Sequence, residues 1–156
     1  MKRLSSLGIV ILMAFITVPL GGQPKGGPAD IRGHFIGAWR LVELDEPDSD
    51  GKIHKADCTG LLVYTQDGHM SVQVMYHNPQ SGNAGGGVQY AQGGYEASFG
   101  SYQTNDDRTF TFHVEGALVR TLTGKDLKRA YELSGKRLTV KSADSSEHWK
   151  VVWERY

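Results

Sequence analysis

The sequence predicts an all-β chain folded as an eight-stranded antiparallel up-and-down barrel. Three observations lead there. After Ile31 the apolar runs are short, bounded by turn residues, and alternate apolar with polar side chains. Eight such runs follow one another, mostly as consecutive hairpins. No long amphipathic helical period is present. Eight antiparallel strands remove their exposed edges by closing on themselves. Their interior is just wide enough for side chains or one small ligand. An open two-sheet sandwich is the competing arrangement, and the run of hairpins favours the barrel.

The N-terminus reads differently. Lys2 and Arg3 precede a nearly unbroken apolar stretch from Leu7 to Leu20, followed by the small-residue breaker GGQPKGGP. That order is a secretory signal peptide, expected over residues 1–22 with cleavage within 21–29. The stretch is shorter than the roughly 20 apolar residues a spanning helix needs. A retained membrane anchor is the alternative, and no stable membrane insertion is expected once the signal is removed. Residues 23–34 read as a flexible linker and 35–156 as one barrel domain, in a secreted or periplasmic protein.

The strands follow in order. Phe35 to Asp45 is the first, ended by the turn EPDSDGK. Leu61 to Thr65 and Met70 to Tyr76 flank Gln66-Asp67-Gly68-His69, whose Asp-Gly pair is a strong hairpin signal. Phe99 to Thr104 and Thr109 to Glu115 flank Asn105-Asp106-Asp107-Arg108. Leu127 to Leu133 and Arg137 to Lys141 flank Ser134-Gly135-Lys136. Glu147 to Tyr156 closes the chain. The connection His77 to Glu96 is long and holds six glycines. It lacks the Lys-Ser/Thr of a phosphate loop and a strand-to-helix setting. It reads as a flap beside a barrel mouth.

A barrel with no covering helices turns its apolar alternate face inward. That places Met70, Val72, Val74 and Tyr76 inside, with Ser71 and Gln73 outside. Phe110, Phe112 and Val114 follow the same rule, as do Leu138, Val140, Trp149, Val151 and Trp153. On the first strand Trp39 and Leu41 point in. One strand strains the pattern, because Leu127, Tyr131 and Leu133 share a face with Arg129. An inward arginine needs a partner or a ligand anion. Glu43, on the matching face of the first strand, is a candidate partner, and a rim position with the head in water is the other reading.

Composition excludes several classes. Lys+Arg and Asp+Glu both count 17, and loss of residues 1–22 leaves a net charge of −2. There is no basic excess for nucleic acid. The one cysteine, Cys58, cannot form an internal disulfide, and it reads as an inert thiol. Asp45, Glu46, Asp48 and Asp50 lack the order of a calcium loop and read as a solvated turn. The six histidines are scattered, and no metal or cofactor is expected. His113 and Glu115 sit two apart on one strand face. They read as a solvated charge pair, as a general acid and base, or as two ligands of a metal that would need further donors.

The segments FIGAWRLVEL, GLLVYTQDGHMSVQVM, GYEASFGSYQ, FHVEGALV, TGKDLKRAYELSGKRLTV and VVWERY, in that order, resemble the bacterial and fungal lipocalin-like domain family. They span nearly all of residues 35–156. The resemblance implies an eight-stranded barrel with an internal cavity. Gly37-x-Trp39 matches the wider lipocalin signature, which implies that Trp39 plugs the barrel base with Arg155, or less well Arg40, packed over it. The family's usual aromatic between Ala97 and Phe99 is Ser98 here.

The expected function is binding of a small, largely apolar molecule. The expected wall is Val72, Val74, Tyr76, Phe110, Phe112, Tyr131 and Trp153, with Arg129 as polar anchor. The runner-up is an isomerase or cyclase using His113, Glu115, Tyr102 and Arg129, which requires His113 and Glu115 to turn inward. A third reading is an interaction module without a ligand. The sequence carries no signal for oligomeric state.

Overall fold

The computed structural model of the chain describes residues 28–78 and 90–156, with side chains from residue 31 onward. The segment 1–22 read as a signal peptide, and the glycine-rich part of the long connection at 79–89, lie outside the described residues. Within them the chain forms one short helix, α1 (Pro28–Gly33), a single turn of 3-10 helix at Arg120–Leu122, and nine strands. The strands are β1 (Gly37–Pro47), β2 (Ile53–Lys55), β3 (Cys58–Tyr64), β4 (His69–Tyr76), β5 (Tyr95–Thr104), β6 (Thr109–Ala117), β7 (Asp126–Ser134), β8 (Arg137–Ser142) and β9 (Lys150–Arg155).

From β3 to β9 each strand pairs antiparallel with the next, and β1 joins β3 on one side and β9 on the other. The ring is therefore closed and eight-stranded, as the hairpin pattern predicts. β2 is an addition to that expectation. Directly after the stretch EPDSDGK, read as a turn, residues 53–55 fold back along the far end of β1, where Asp45, Glu46 and Pro47 pair with Lys55, His54 and Ile53.

Turn chemistry sets the ends of the ring. Gly68 in the β3–β4 turn has φ +95°, a conformation that costs glycine no steric penalty. Gly100 serves close approach instead. A Cβ there would stand 2.0 Å from the carbonyl oxygen of His113 on β6, beside the register shift between Phe99 and Gly100.

One end of the barrel is closed. Phe35 is fully buried and meets Tyr64, Phe110 and Tyr131 edge-on, at ring-centroid distances of 5.0, 5.7 and 4.8 Å. Each such pair adds about 1 kcal/mol beyond the area it buries. Residues 28–33, expected as linker, form a helical turn instead. The helix packs at this end, with Arg32 donating to the Gln66 carbonyl at 3.0 Å and its guanidinium 5.6 Å from the Tyr102 ring centroid.

The first strand carries the largest departure from simple alternation. Leu41 stands opposite Trp153 and Leu44 opposite Val151, while Val42 and Glu43 together span the single residue Val152. This is a β-bulge, and it reverses which residues face inward beyond it. Leu44 and Glu46 are buried, and Glu43 is turned outward to Lys55 and Lys150 at 3.3 and 3.2 Å. Glu43 is therefore not the partner of Arg129.

Candidate functional site

Above the aromatic floor the barrel encloses a cavity of about 90 Å³. Its walls come from most of the strands. Val72 and Val74 of β4, Phe110 and Phe112 of β6, Val140 of β8 and Trp153 of β9 supply apolar surface. These side chains alternate with solvent-facing ones because the strand period is two. Ser98 of β5 lines the space where the family resemblance implies an aromatic ring, so the wall beside Val72 carries a small side chain there.

Two expected wall residues lie elsewhere. Tyr131 is two positions nearer the closed end than Arg129, so its ring joins Phe35 and its hydroxyl donates to the Asp106 carbonyl at 3.2 Å. Tyr76 stands at the open end of β4 and donates to Glu46 Oε2 at 2.9 Å. Neither lines the cavity.

Arg129 does line it and is buried. Its ion-pair partner is Glu147, with Nη1 to Oε2 at 3.5 Å. The rings of Tyr90 and Trp149 lie 5.0 and 4.9 Å from the guanidinium carbon. Glu147 is further held by the Tyr90 hydroxyl at 2.9 Å and the Trp149 indole N–H at 3.0 Å. Burial works against the Glu147 charge, but hydrogen bonds from Ser142, Trp149 and Tyr90 and the charge of Arg129 outweigh it, and its carboxyl lies below the usual range.

Two further carboxyl groups line the cavity. Burial raises the Glu46 carboxyl, opposed by the Tyr76 hydrogen bond and by His54, whose Nε2 is 3.8 Å away. Glu96 has no hydrogen bond or ion pair among the described residues. Burial pushes its carboxyl up to about 7, against the attraction of Arg129 and with the repulsion of Glu46. At the floor, the buried hydroxyl of Tyr64 has no hydrogen-bond partner among the described residues.

The residues proposed for acid–base work are not assembled. His113 and Glu115 are exposed on the outer face of β6, with His113 Nδ1 2.6 Å from Asp126 Oδ1. No bulge reverses β6 before Val114, so simple alternation holds there. Tyr102 is buried at the closed end and does not line the cavity. Burial, with the charges of Glu46 and Asp57, pushes the Cys58 thiol up to about 11, which keeps it protonated and poorly nucleophilic. No three metal-ligating side chains cluster among the described residues.

At the closed end the indole of Trp39 is fully buried and donates to the Phe35 carbonyl at 2.8 Å. Arg155 lies over it, 4.3 Å from guanidinium carbon to ring centroid, and donates to the carbonyls of Ile36 and His34. Arg40, the less favoured candidate, faces out to Glu154 at 3.1 Å.

A closed eight-stranded ring carrying this Trp–Arg plug accompanies a family match. The profile of the lipocalin-like domain matches residues 36–156. The chain belongs to the lipocalin-like domain family. This lipocalin-like chain also shows distant likeness to solved structures. A redesigned β-barrel is 10% identical, covers 81% of this chain and 95% of its own, and superposes with a TM-score of 0.45. The lipoprotein YedD from Klebsiella pneumoniae is 13% identical, with coverage of 78% and 70% and a TM-score of 0.40. An uncharacterized protein from Bacteroides eggerthii is 20% identical, with coverage of 78% and 99% and a TM-score of 0.46. No curated protein matches the lipocalin-like chain.

The acidic members of the site were missed by the sequence reading for local reasons. The sequence pattern puts Glu46 in a solvated turn because the β1 bulge has no sequence signature. It puts Glu96 in the long loop, whereas β5 begins at Tyr95, four residues before the expected start. The alternation Trp149, Val151, Trp153 does point inward, and all three line the cavity.

Proposed function

We propose that this lipocalin-like protein is exported and binds a small, largely apolar molecule inside the barrel. The observation that carries the reading is the cavity itself. Its wall is mainly Val, Leu, Phe and Trp, and it holds two polar groups with no hydrogen bond among the described residues, the Glu96 carboxyl and the buried Tyr64 hydroxyl. Apolar burial would supply the affinity and those polar groups the orientation. Size limits the guest. About 90 Å³ is less than the roughly 150 Å³ of an apolar cavity that takes a benzene ring, so a short alkyl body fits the space as it stands and a single ring requires the mouth side chains to move aside. Export is supported by the N-terminal pattern of Lys2, Arg3 and the apolar run to Leu20.

The enzyme reading built on His113 and Glu115 has no support in this geometry, because both face solvent. The test of binding is native mass spectrometry of the purified protein, followed by thermal-shift titration with single-ring probes. A co-purifying small compound, or saturable stabilisation that Val74→Phe abolishes, is the expected result. Absence of both, with Val74→Phe as stable as the parent, would show that the cavity does not accept ligands.

A further inference from the structure

The charges around the cavity do not balance as an anion site. Arg129 is the one cationic side chain lining it among the described residues. Glu147 already pairs with it at 3.5 Å, and Tyr90 and Trp149 lie against it. A ligand carboxylate approaching Arg129 would have to displace Glu147 or crowd against it. The same space presents Glu46, which is buried, and Glu96, which has no hydrogen bond or ion pair among the described residues. Glu147 thus neutralises the one guanidinium, and the cavity lining carries two further carboxyl groups, Glu46 and Glu96. Glu96 is half-buried, its carboxylate oxygens have acceptor capacity that no hydrogen bond among the described residues uses, and a guest that brings a cation or strong donor fills it.

We infer that the ligand of this cavity is an amine, a small apolar body carrying a protonated nitrogen that Glu96 receives, with Glu46 at second range. This rests on the binding reading above and names the chemical class that site takes. The apolar body lies among Val72, Val74, Phe112, Val140 and Trp153, in the room left by Ser98. The Tyr64 hydroxyl, buried at the floor with no partner among the described residues, is a second polar contact for a ligand that reaches that deep. A hydrogen bond to a charged group contributes about 1.5–3 kcal/mol, which corresponds to a preference of at least about tenfold for an amine over its neutral isostere.

The groups facing Glu96 are Glu46 from β1, Tyr76 from β4, Arg129 from β7, and Tyr90 and Glu147 from the mouth connections, with His54 of β2 behind Glu46. The amine requires Glu96 ionised. Its affinity therefore rises from pH 6 to pH 8 as Glu96 gives up its proton, whereas that of a neutral isostere stays flat.

The experiment is isothermal titration of the full-length protein with benzylamine, benzyl alcohol and benzoate. Benzylamine is expected to bind about tenfold or more tighter than benzyl alcohol, with benzoate weakest. Glu96→Gln is expected to bring the amine-to-alcohol ratio close to one and to flatten its pH dependence. Glu46→Gln, which leaves Glu96 in place, is expected to reduce the ratio only partly. Equal binding of amine and alcohol by the parent protein, or tightest binding of benzoate, overturns the amine assignment and leaves the binding reading standing. Failure of all three to bind overturns both for ligands of single-ring size.

Discussion

The carboxylate of Glu147 stands 3.5 Å from the guanidinium of Arg129, which lines the cavity. Removing one partner of such a pair strands the other charge in a dry setting. Glu147→Gln is expected to lower stability by about 2 kcal/mol, toward the modest side because Glu147 is partly exposed. It should also improve benzoate binding, since Arg129 then lacks its counter-ion. Urea denaturation and titration measure the two effects. A variant as stable as the parent and indifferent to benzoate would mean that Arg129 is neutralised elsewhere.

The closed end depends on another arginine. Arg155 covers Trp39 and serves two carbonyls of the chain entering β1. Trp39→Ala is expected to cost about 3–5 kcal/mol by cavity formation. Arg155→Met is expected to cost about 2 kcal/mol, through the lost cation–π contact and the unmet carbonyls. A double-mutant cycle should give coupling of about 1 kcal/mol between the two. Strict additivity would show that they act independently.

Glu96 should make stability depend on pH. Folding raises its carboxyl from the ordinary 4.5 to about 7. The folded state therefore holds a proton that the unfolded chain has released between those values. This contribution is fully present below about 4.5 and is lost as the pH rises through about 7. The difference amounts to at most about 3 kcal/mol. Glu96→Gln should gain about 2 kcal/mol over the parent at pH 8 and nothing at pH 4. Identical pH–stability curves for parent and variant would contradict the burial of this carboxyl.

On the outer face of β6 the outcome should be flat. His113→Ala and Glu115→Ala are each expected to change stability by no more than about 0.5 kcal/mol, the usual range for exposed positions. Benzylamine affinity should not move either. A loss of binding in either variant would return β6's outer face to consideration as part of the site.

Alternation was a reliable guide wherever a strand ran without interruption. The faces of Phe110, Phe112 and Val114, and of Trp149, Val151 and Trp153, were legible because period two holds along both strands. The turns were legible because Asp67-Gly68 has few backbone options. The acidic lining was not legible. Glu46 and Glu43 exchange faces through one extra residue between Leu41 and Leu44, and nothing in that run of side chains announces it. Arg129 was recognised as an inward charge, but not its partner. Glu147 reaches it from a different element, 18 residues later in the chain.

The sequence by itself determined the closed antiparallel barrel, because eight half-apolar strands joined by short turns can bury their apolar faces and satisfy their edges only together. The Trp39 and Arg155 plug came from the family resemblance, through residues carried on the first and last strands of the ring. The tertiary structure alone decided the character of the interior. Which carboxyl enters the cavity, and whether an arginine inside is free or already neutralised, depend on a register shift and on side chains converging from distant elements. Those are properties of closure, not of any local pattern.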